Sequence, residues 1–342
     1  MSSSTRSLLA RTRFRIGISH KEDFVVGQYI VRRILISLPV WLGITVIAFF
    51  LMHLAPGGPG EVLLSPNASP AQIAQFQKNL GLDQPLPIQY IDWLGQILQG
   101  NFGTSFSDGS PVLPLILARM PNTILLMATA LFLTYVISLP LGIISAVRQY
   151  SWADTLITLL SFVGMSMPEF WLGFIVIIIF AVQLRWFPVG GMYTLGAPFS
   201  LSNRIMHLIL PASVLAIGGI AGHMRYIRSS MLEVIHQDFI RTAEAKGASK
   251  FAIYYKHALR NALIPVVTIM GMGLLPSLFA GALLIEKIFA WPGVGRLLYS
   301  AAMSRDYPVL MGGIVIASSL VILGNLIADV VYTVLDPRIK FD

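Results

Sequence analysis

Six stretches of this chain are long and apolar enough to cross a lipid bilayer, and no other feature narrows its fold as much. A bilayer core about 30 Å thick takes about 20 apolar residues in α-helix, and a helix satisfies its own backbone polar groups where no water can. The stretches lie near 30–54 (IVRRILISLPVWLGITVIAFFLMHL), 121–147, 155–183, 207–225, 263–286 and 308–334. The fourth has the weakest composition, because its GGIAGHMR is rich in glycine and ends in charge. These stretches predict an all-α polytopic membrane protein with six transmembrane helices. Charged residues make up 12% of the 342, against about 25% in a soluble domain, which agrees. The predicted division is a cytoplasmic segment 1–29, a first span 30–54, an extracytoplasmic segment 55–120, a five-helix core 121–334 and a cytoplasmic tail 335–342.

Orientation follows from the basic residues. With both termini in the cytoplasm, the inside segments hold seven Lys or Arg up to Arg33, Arg148, seven between Arg225 and Arg260, and Arg338 with Lys340. That is 17 of the 24 in the chain, the bias expected of cytoplasmic loops. The net charge of +8 is therefore read as topology rather than as a nucleic-acid surface. The first span lacks a small-x-small site after it and reads as an anchor, not a cleaved signal. There is no cysteine, which excludes disulfides, thiolate metal sites and cysteine nucleophiles.

The outer segment carries helix punctuation of its own. In SPAQIAQFQKNLG, Ser69 can cap, Pro70 suits the first helical position and Gly81 suits the exit. In PIQYIDWLGQIL, the spacing puts Ile88, Ile91, Leu94 or Trp93, and Leu98 on one side. A small helical cap is predicted, either a structural lid or a docking surface for an external partner.

Between the fourth and fifth stretches, about forty residues from Arg225 to Asn261 are predicted to be cytoplasmic. HQDFIRTAEAK reads as helix, with Gly247 at the position of a left-handed C-terminal glycine. Ser249 can then start SKFAIYYKHALRNAL, with Phe251, Tyr254, Ala258, Leu259 and Ala262 along one face. Two helices thus meet at a corner. Ala243, Ala245, Gly247 and Ala248 are small enough for another backbone to approach, and Arg241, Lys246 and Lys250 charge the rim. The residues alone leave open whether this is a docking corner or a solvated basic loop.

The stretch RTAEAKG resembles the coupling loop of ABC importer permeases, whose pattern is E-A-A-x-x-x-G with a hydrophobic-proline tail. Aligned on Gly247, Arg241, Thr242 and Ala243 fill the E-A-A positions, and the proline comes late, at Pro265. These departures match permeases of the dipeptide/oligopeptide/nickel group. The resemblance continues through LAPGGPG (54–60), LGLDQPLPIQY (80–90), PEFWLG (168–173), WFPVGG (186–191), EKIFAWPGVGRLL (286–298), RDYP (305–308) and LDPRIK (335–340).

The resemblance implies a type I ABC importer permease in the cell membrane. It would pair with a second homologous permease, two ATP-binding subunits and an extracellular substrate-binding protein, and would move di- or oligopeptides by alternating access. Relatives with the same architecture carry nickel, glutathione or oligosaccharides. The coupling residues would be Arg241, Thr242, Ala243, Lys246, Gly247 and Ala248. No cofactor is expected on this chain, with ATP and magnesium on the partner ATPases. In agreement, the sequence contains no G-x-x-x-x-G-K-[ST], H-E-x-x-H or G-x-S-x-G.

Ionisable residues in apolar stretches are costly and point to function. Glu169, beside Pro168 in the third stretch, reads either as lining a translocation path or gate or as pairing with a neighbouring helix. Asp329 reads as snorkelling or interhelical. An ion-coupled transporter would need a richer relay of such groups. Prolines 39, 140, 168, 211, 265 and 276 are candidate hinges or kinks, and AWPGVGR reads as an outer or re-entrant turn.

Overall fold

The computed structural model describes residues 20–54, 78, 81, 83–280 and 282–335. The predicted helix beginning at Ser69, the LAPGGPG and LDPRIK segments, and residues 1–19 and 336–342 lie wholly or almost wholly outside these residues, while α1 reaches back into the predicted 1–29 segment as far as His20. No strand occurs among the described residues. The helices are α1 (His20–Leu54), α2 (Leu86–Leu98), α3 (Val112–Val147), α4 (Trp152–Ser166), α5 (Glu169–Val176, extended by a π turn over Ile177–Gln183) and α6 (Leu201–Ile235). They continue with α7 (Asp238–Ala245), a π turn over Ala252–Ala258, α8 (Leu259–Ala280), α9 (Leu283–Ile288), α10 (Val294–Ser304) and α11 (Tyr307–Leu335).

Four helices among the described residues are long and apolar enough to cross a membrane: α1 from Val31, α3, α6 and α11. The bent pair α4–α5 makes a fifth. The 22-residue α8 occupies the remaining predicted stretch.

The centre of the bundle is the pairing of α3 with α6, with α8 packed on both and on α11, and with α1 outermost on α11. Glycine permits the close approach of α3 to α6. A Cβ on Gly142 of α3 would sit 2.7 Å from the Ile227 side chain, and one on Gly219 of α6 would sit 3.0 Å from Thr134. Small residues at such contacts let helix backbones approach where no hydrophobic drive separates protein from lipid.

Several boundaries differ from the sequence expectation. Helix α3 begins at Val112, nine residues before the predicted stretch. Val112 and Ile116 are buried against Ala301 and Val309, and that tertiary packing continues the helix through Pro121. Helix α6 runs to Ile235, past the predicted end at 225 and past its glycines, because Ile227, Met231 and Val234 are buried in the cluster beneath the corner. The fifth stretch ends as a helix at Ala280, and its last residues form the separate short helix α9.

The third stretch is not one helix: α4 and α5 meet at 107°. Proline explains the break. Pro168 cannot donate a backbone hydrogen bond and disfavours helical dihedrals in the residue before it, and Met167 is extended at φ −86°, ψ 127°. Pro39, Pro121, Pro140 and Pro211 lie inside continuous helices.

In α2 the buried side is Ile97, with Tyr90 and Trp93 packed on Phe49, Met52, Tyr307 and Met311. Ile88, Ile91 and Leu98 are exposed, so the predicted apolar face is corrected. Three aromatic rings at 5.5 to 6.0 Å spacing bury more surface than an aliphatic ridge, and Thr45 meets the Tyr90 hydroxyl at 2.9 Å.

Candidate functional site: a helical corner and a broken span

The corner begins where α6 ends. Asp238 stands in the first turn of α7, where a carboxylate favours the positive end of the helix dipole. Ile240 anchors the helix, buried in a cluster with Val234, Ile253, Ala258 and Ala262.

The helix terminates by donation from Gly247 N–H to Glu244 O at 2.9 Å and from Ala248 N–H to Ala243 O at 3.1 Å. These two bonds are the Schellman arrangement, with its small hydrophobic contact between Ala243 and Ala248 against the cluster. It requires a left-handed residue, and Gly247 has φ +77°. The Ser249 hydroxyl then accepts from Ala252 N–H at 3.3 Å, starting the next helical segment.

The predicted site residues fall into two sets. Arg241, Thr242, Lys246 and Gly247 are exposed at the tip, whereas Ala243 and Ala248 are partly buried against the protein's own core. Arg241 lies 3.6 Å from Asp238 on a fully solvated surface, a contact of little energetic weight.

The face expected beyond the corner changes. Phe251 is 71% exposed and stacks on Tyr255, while Ile253 is buried. The π turn over Ala252–Ala258 spaces buried residues five apart, Ile253 to Ala258, before the four-residue spacing resumes at Ala262 and Val266. A reading at 3.6 residues per turn cannot see that shift.

Next to the corner, Asp154 near the start of α4 is buried and meets Arg228 of α6 in a fork, accepting from Nε at 3.0 Å and Nη2 at 2.9 Å. The same carboxylate accepts from Ser145 Oγ of α3 and from Tyr150 N–H at 3.0 Å. Both members stand in or beside predicted apolar stretches, so the ionisable-residue rule applied to Glu169 and Asp329 was able to find them.

At the break, Pro168 precedes α5 and Glu169 is its first residue. Glu169 thus stands at a helix start rather than within a continuous span. It makes no hydrogen bond or ion pair among the described residues, is exposed, and lies over Gly218 of α6, where an added Cβ would be 3.8 Å from Oε1. Asp329 meets Arg33 of α1 at 3.2 Å, an interhelical pair at the end of the bundle that carries the corner.

Sequence reasoning also missed Glu286. This fully buried carboxylate accepts from Thr123 Oγ1 at 2.7 Å and from Arg296 N–H at 2.9 Å, while Thr123 Oγ1 accepts from Val294 N–H at 2.8 Å. Glu286 occupies the space where side chains on Gly293 and Gly295 would go. Trp291, fully buried, donates from Nε1 to Asn122 O at 2.9 Å, and Asn122 returns a bond to Pro292 O at 2.8 Å. AWPGVGR is therefore a tightly packed turn fastened to α3, at the bundle end opposite the corner.

A polytopic α-helical bundle with one broken span and a capped helical corner outside it is the architecture of a multi-pass membrane protein. Residues 138–341 match the binding-protein-dependent transport system inner membrane component, and residues 26–127 match the N-terminal membrane component of such systems; the chain belongs to this family.

An oligopeptide transport system permease protein of Bacillus subtilis is 49% identical over 317 residues, covering 92% of this chain and all of that protein. A putative peptide permease of Brucella ovis is 44% identical over 316 residues, covering 92% of this chain and 99% of that protein. A dipeptide transport system permease protein of Alkalihalophilus pseudofirmus is 39% identical over 331 residues, with 92% and 99% coverage. A crystal structure of an amino acid ABC transporter with histidines aligns at TM-score 0.48 and 13% identity, covering 66% of this chain and 95% of that one.

Proposed function

We propose that this permease is one half of the membrane pathway of an ATP-driven importer of di- and oligopeptides. A second homologous permease would complete the path, two ATPase subunits would bind ATP and magnesium in the cytoplasm, and an extracellular binding protein would deliver substrate. Both termini lie in the cytoplasm in this reading, on the side of the corner. The division at 55–120 and 225–261 keeps its functional sense, with an outer cap and a coupling segment, although the helices run past those limits.

The observation that carries the reading is the corner at α7. The bend is held by two backbone bonds, anchored by Ile240, and presents Arg241, Thr242, Lys246 and Gly247 outward. An exposed corner on a buried anchor suits a joint that passes a push from a partner into packed helices, since packed elements shift between discrete arrangements instead of deforming continuously. The broken span supplies the moving part. Secondary transporters build substrate sites at discontinuous helices, and by the same logic Glu169 beside Pro168 would line the path or its gate here. The peptide class rests on the names of the relatives and on the Glu169 carboxylate, which has no partner among the described residues and suits an ammonium group.

The test is a mild-detergent purification of the tagged chain from its host. The expected result is co-purification of a second permease and an ATPase pair, with ATP hydrolysis and peptide uptake in proteoliposomes that are both lost on altering 241–250. A chain that purifies alone and moves solute under an ion gradient refutes the proposal.

A further inference from the structure

We infer that the Asp154–Arg228 pair is a clamp that makes α4 and the corner half of α6 move as one body, so that motion at the corner is delivered to the break at Met167–Pro168. The inference rests on the importer reading above for its direction of force, but not for its geometry.

Helix α4 is poorly held by apolar packing. Its buried residues are Asp154 and Ser161 alone, while Leu156, Leu159, Leu160, Phe162, Val163 and Met165 are each at least 43% exposed. What joins it to α6 is concentrated at a few points: the two-pronged Arg228 contact, the Arg225 guanidinium 5.6 Å from the Phe162 ring centre, and the approach of Gly164 to Ile217, where an added Cβ would meet Cγ2 at 2.9 Å. The first is the directional one. A planar guanidinium that donates two bonds to one carboxylate fixes angle as well as distance.

The Asp154 carboxylate is itself fixed, since it also takes bonds from Ser145 and Tyr150 and its own backbone N–H donates to the Ser151 hydroxyl at 3.3 Å. Three elements therefore share one buried group: the end of α3, the start of α4 and α6. Arg228 lies two turns before the end of α6 and thus directly above the corner. From there α4 runs uninterrupted to the extended Met167, the first position with no helical bond to stiffen it. A push on α6 near the corner is then carried by the clamp to the start of α4 and along it, and bending is taken up at Met167–Pro168, one residue from Glu169. Asp154 and Arg228 are positioning residues in this scheme, as neither touches substrate.

The test uses the full transporter, reconstituted with its partner permease, ATPases and binding protein, and reads peptide moved per ATP hydrolysed. Asp154→Asn keeps the shape and some of the hydrogen bonds but removes the charge. The expected result is an assembled complex that hydrolyses ATP near the wild-type rate while peptide moved per ATP falls at least about tenfold. If Asp154→Asn does not assemble, Arg228→Lys, which keeps the charge and loses the fork, is measured instead, with a several-fold fall expected. An unchanged ratio in the assembled variant, or equal losses in hydrolysis and transport, overturns the clamp.

A second readout does not depend on peptide transport. The chain has no cysteine, so in complexes with cysteine-free partner subunits, spin labels at Thr155→Cys and Ser229→Cys, both exposed positions, report the α4–α6 separation alone. That separation is expected to stay the same with and without trapped ATP in the wild type and to vary in Asp154→Asn. A wild-type separation that changes on ATP trapping overturns the inference. A wild-type complex that moves no peptide but keeps the separation fixed overturns the importer reading only.

Discussion

Replacing Gly247 separates the two things a corner must do, which are to hold a backbone shape and to leave room. At φ +77° an L-residue is strained, yet a Cβ built on Gly247 meets nothing within 4 Å. The penalty in the isolated chain is therefore conformational, about 1–2 kcal/mol for any side chain with a Cβ. Asn visits this region more readily than other residues and should cost less. At 1.4 kcal/mol per tenfold, Gly247→Ala lowers the population of the closed corner by at most about 5–30-fold relative to its open forms.

Gly247→Trp carries the same backbone cost, and its Cβ too meets nothing within 4 Å, but it places a bulky ring on the exposed tip where a docked partner would lie. The assays are thermal unfolding of the detergent-purified chain and ATP-driven peptide uptake by the reconstituted transporter. The expected order of uptake is wild type, Asn, Ala, then Trp at background, with Ala and Trp equal in stability to within about 0.5 kcal/mol, as for a solvated position. The reasoning is refuted if Trp is far less stable than Ala in the isolated chain, or if its uptake equals that of Ala.

Other outcomes follow from the packing. Ile253→Ala should cost about 2–5 kcal/mol as a buried large-to-small change, whereas Phe251→Ala, at an exposed ring, should stay within about 0.5 kcal/mol; the reverse order in thermal melts would show that the π turn is absent. Gly142→Val should drive into Ile227 and destabilise the bundle by about 1–3 kcal/mol, measured as a lower melting temperature in detergent. Glu286→Ala should leave the Thr123 hydroxyl and the Arg296 N–H without their acceptor, at about 1–3 kcal/mol for each buried group left unsatisfied, and should open the 289–296 turn to protease. An uncut turn in that variant would show that the carboxylate is not what holds it.

The corner was the most legible part of the chain because its signals are local. A glycine that must be left-handed, small residues around it and a hydroxyl residue that starts the next segment are each read from a few neighbours, and Gly247 at φ +77° and Ser249 as acceptor stand where those rules put them. The apolar stretches were legible for the same reason, since the length of a span is set by the thickness of the bilayer and not by what packs beside it. Continuity was not legible. Pro121, Pro140, Pro168 and Pro211 look alike in sequence, but only Pro168 coincides with a break, because Val112, Ile116 and Leu126 along α3 and Leu210 and Ala212 around Pro211 of α6 are held by buried neighbours and α4 is not.

Partners distant in sequence were equally hidden. Asp154 meets Arg228 across 74 positions and Thr123 meets Glu286 across 163, and nothing near either member announces the other. The sequence by itself determined that this chain is a multi-pass helical membrane protein with a capped corner between two of its spans, because periodicity, bilayer thickness and glycine's backbone freedom act over a few residues. The tertiary structure alone decided which proline bends a span, which face of α2 is buried, where the π turn shifts the register and which carboxylates are fastened. Each of those is a competition between a local preference and burial against residues far away in the chain.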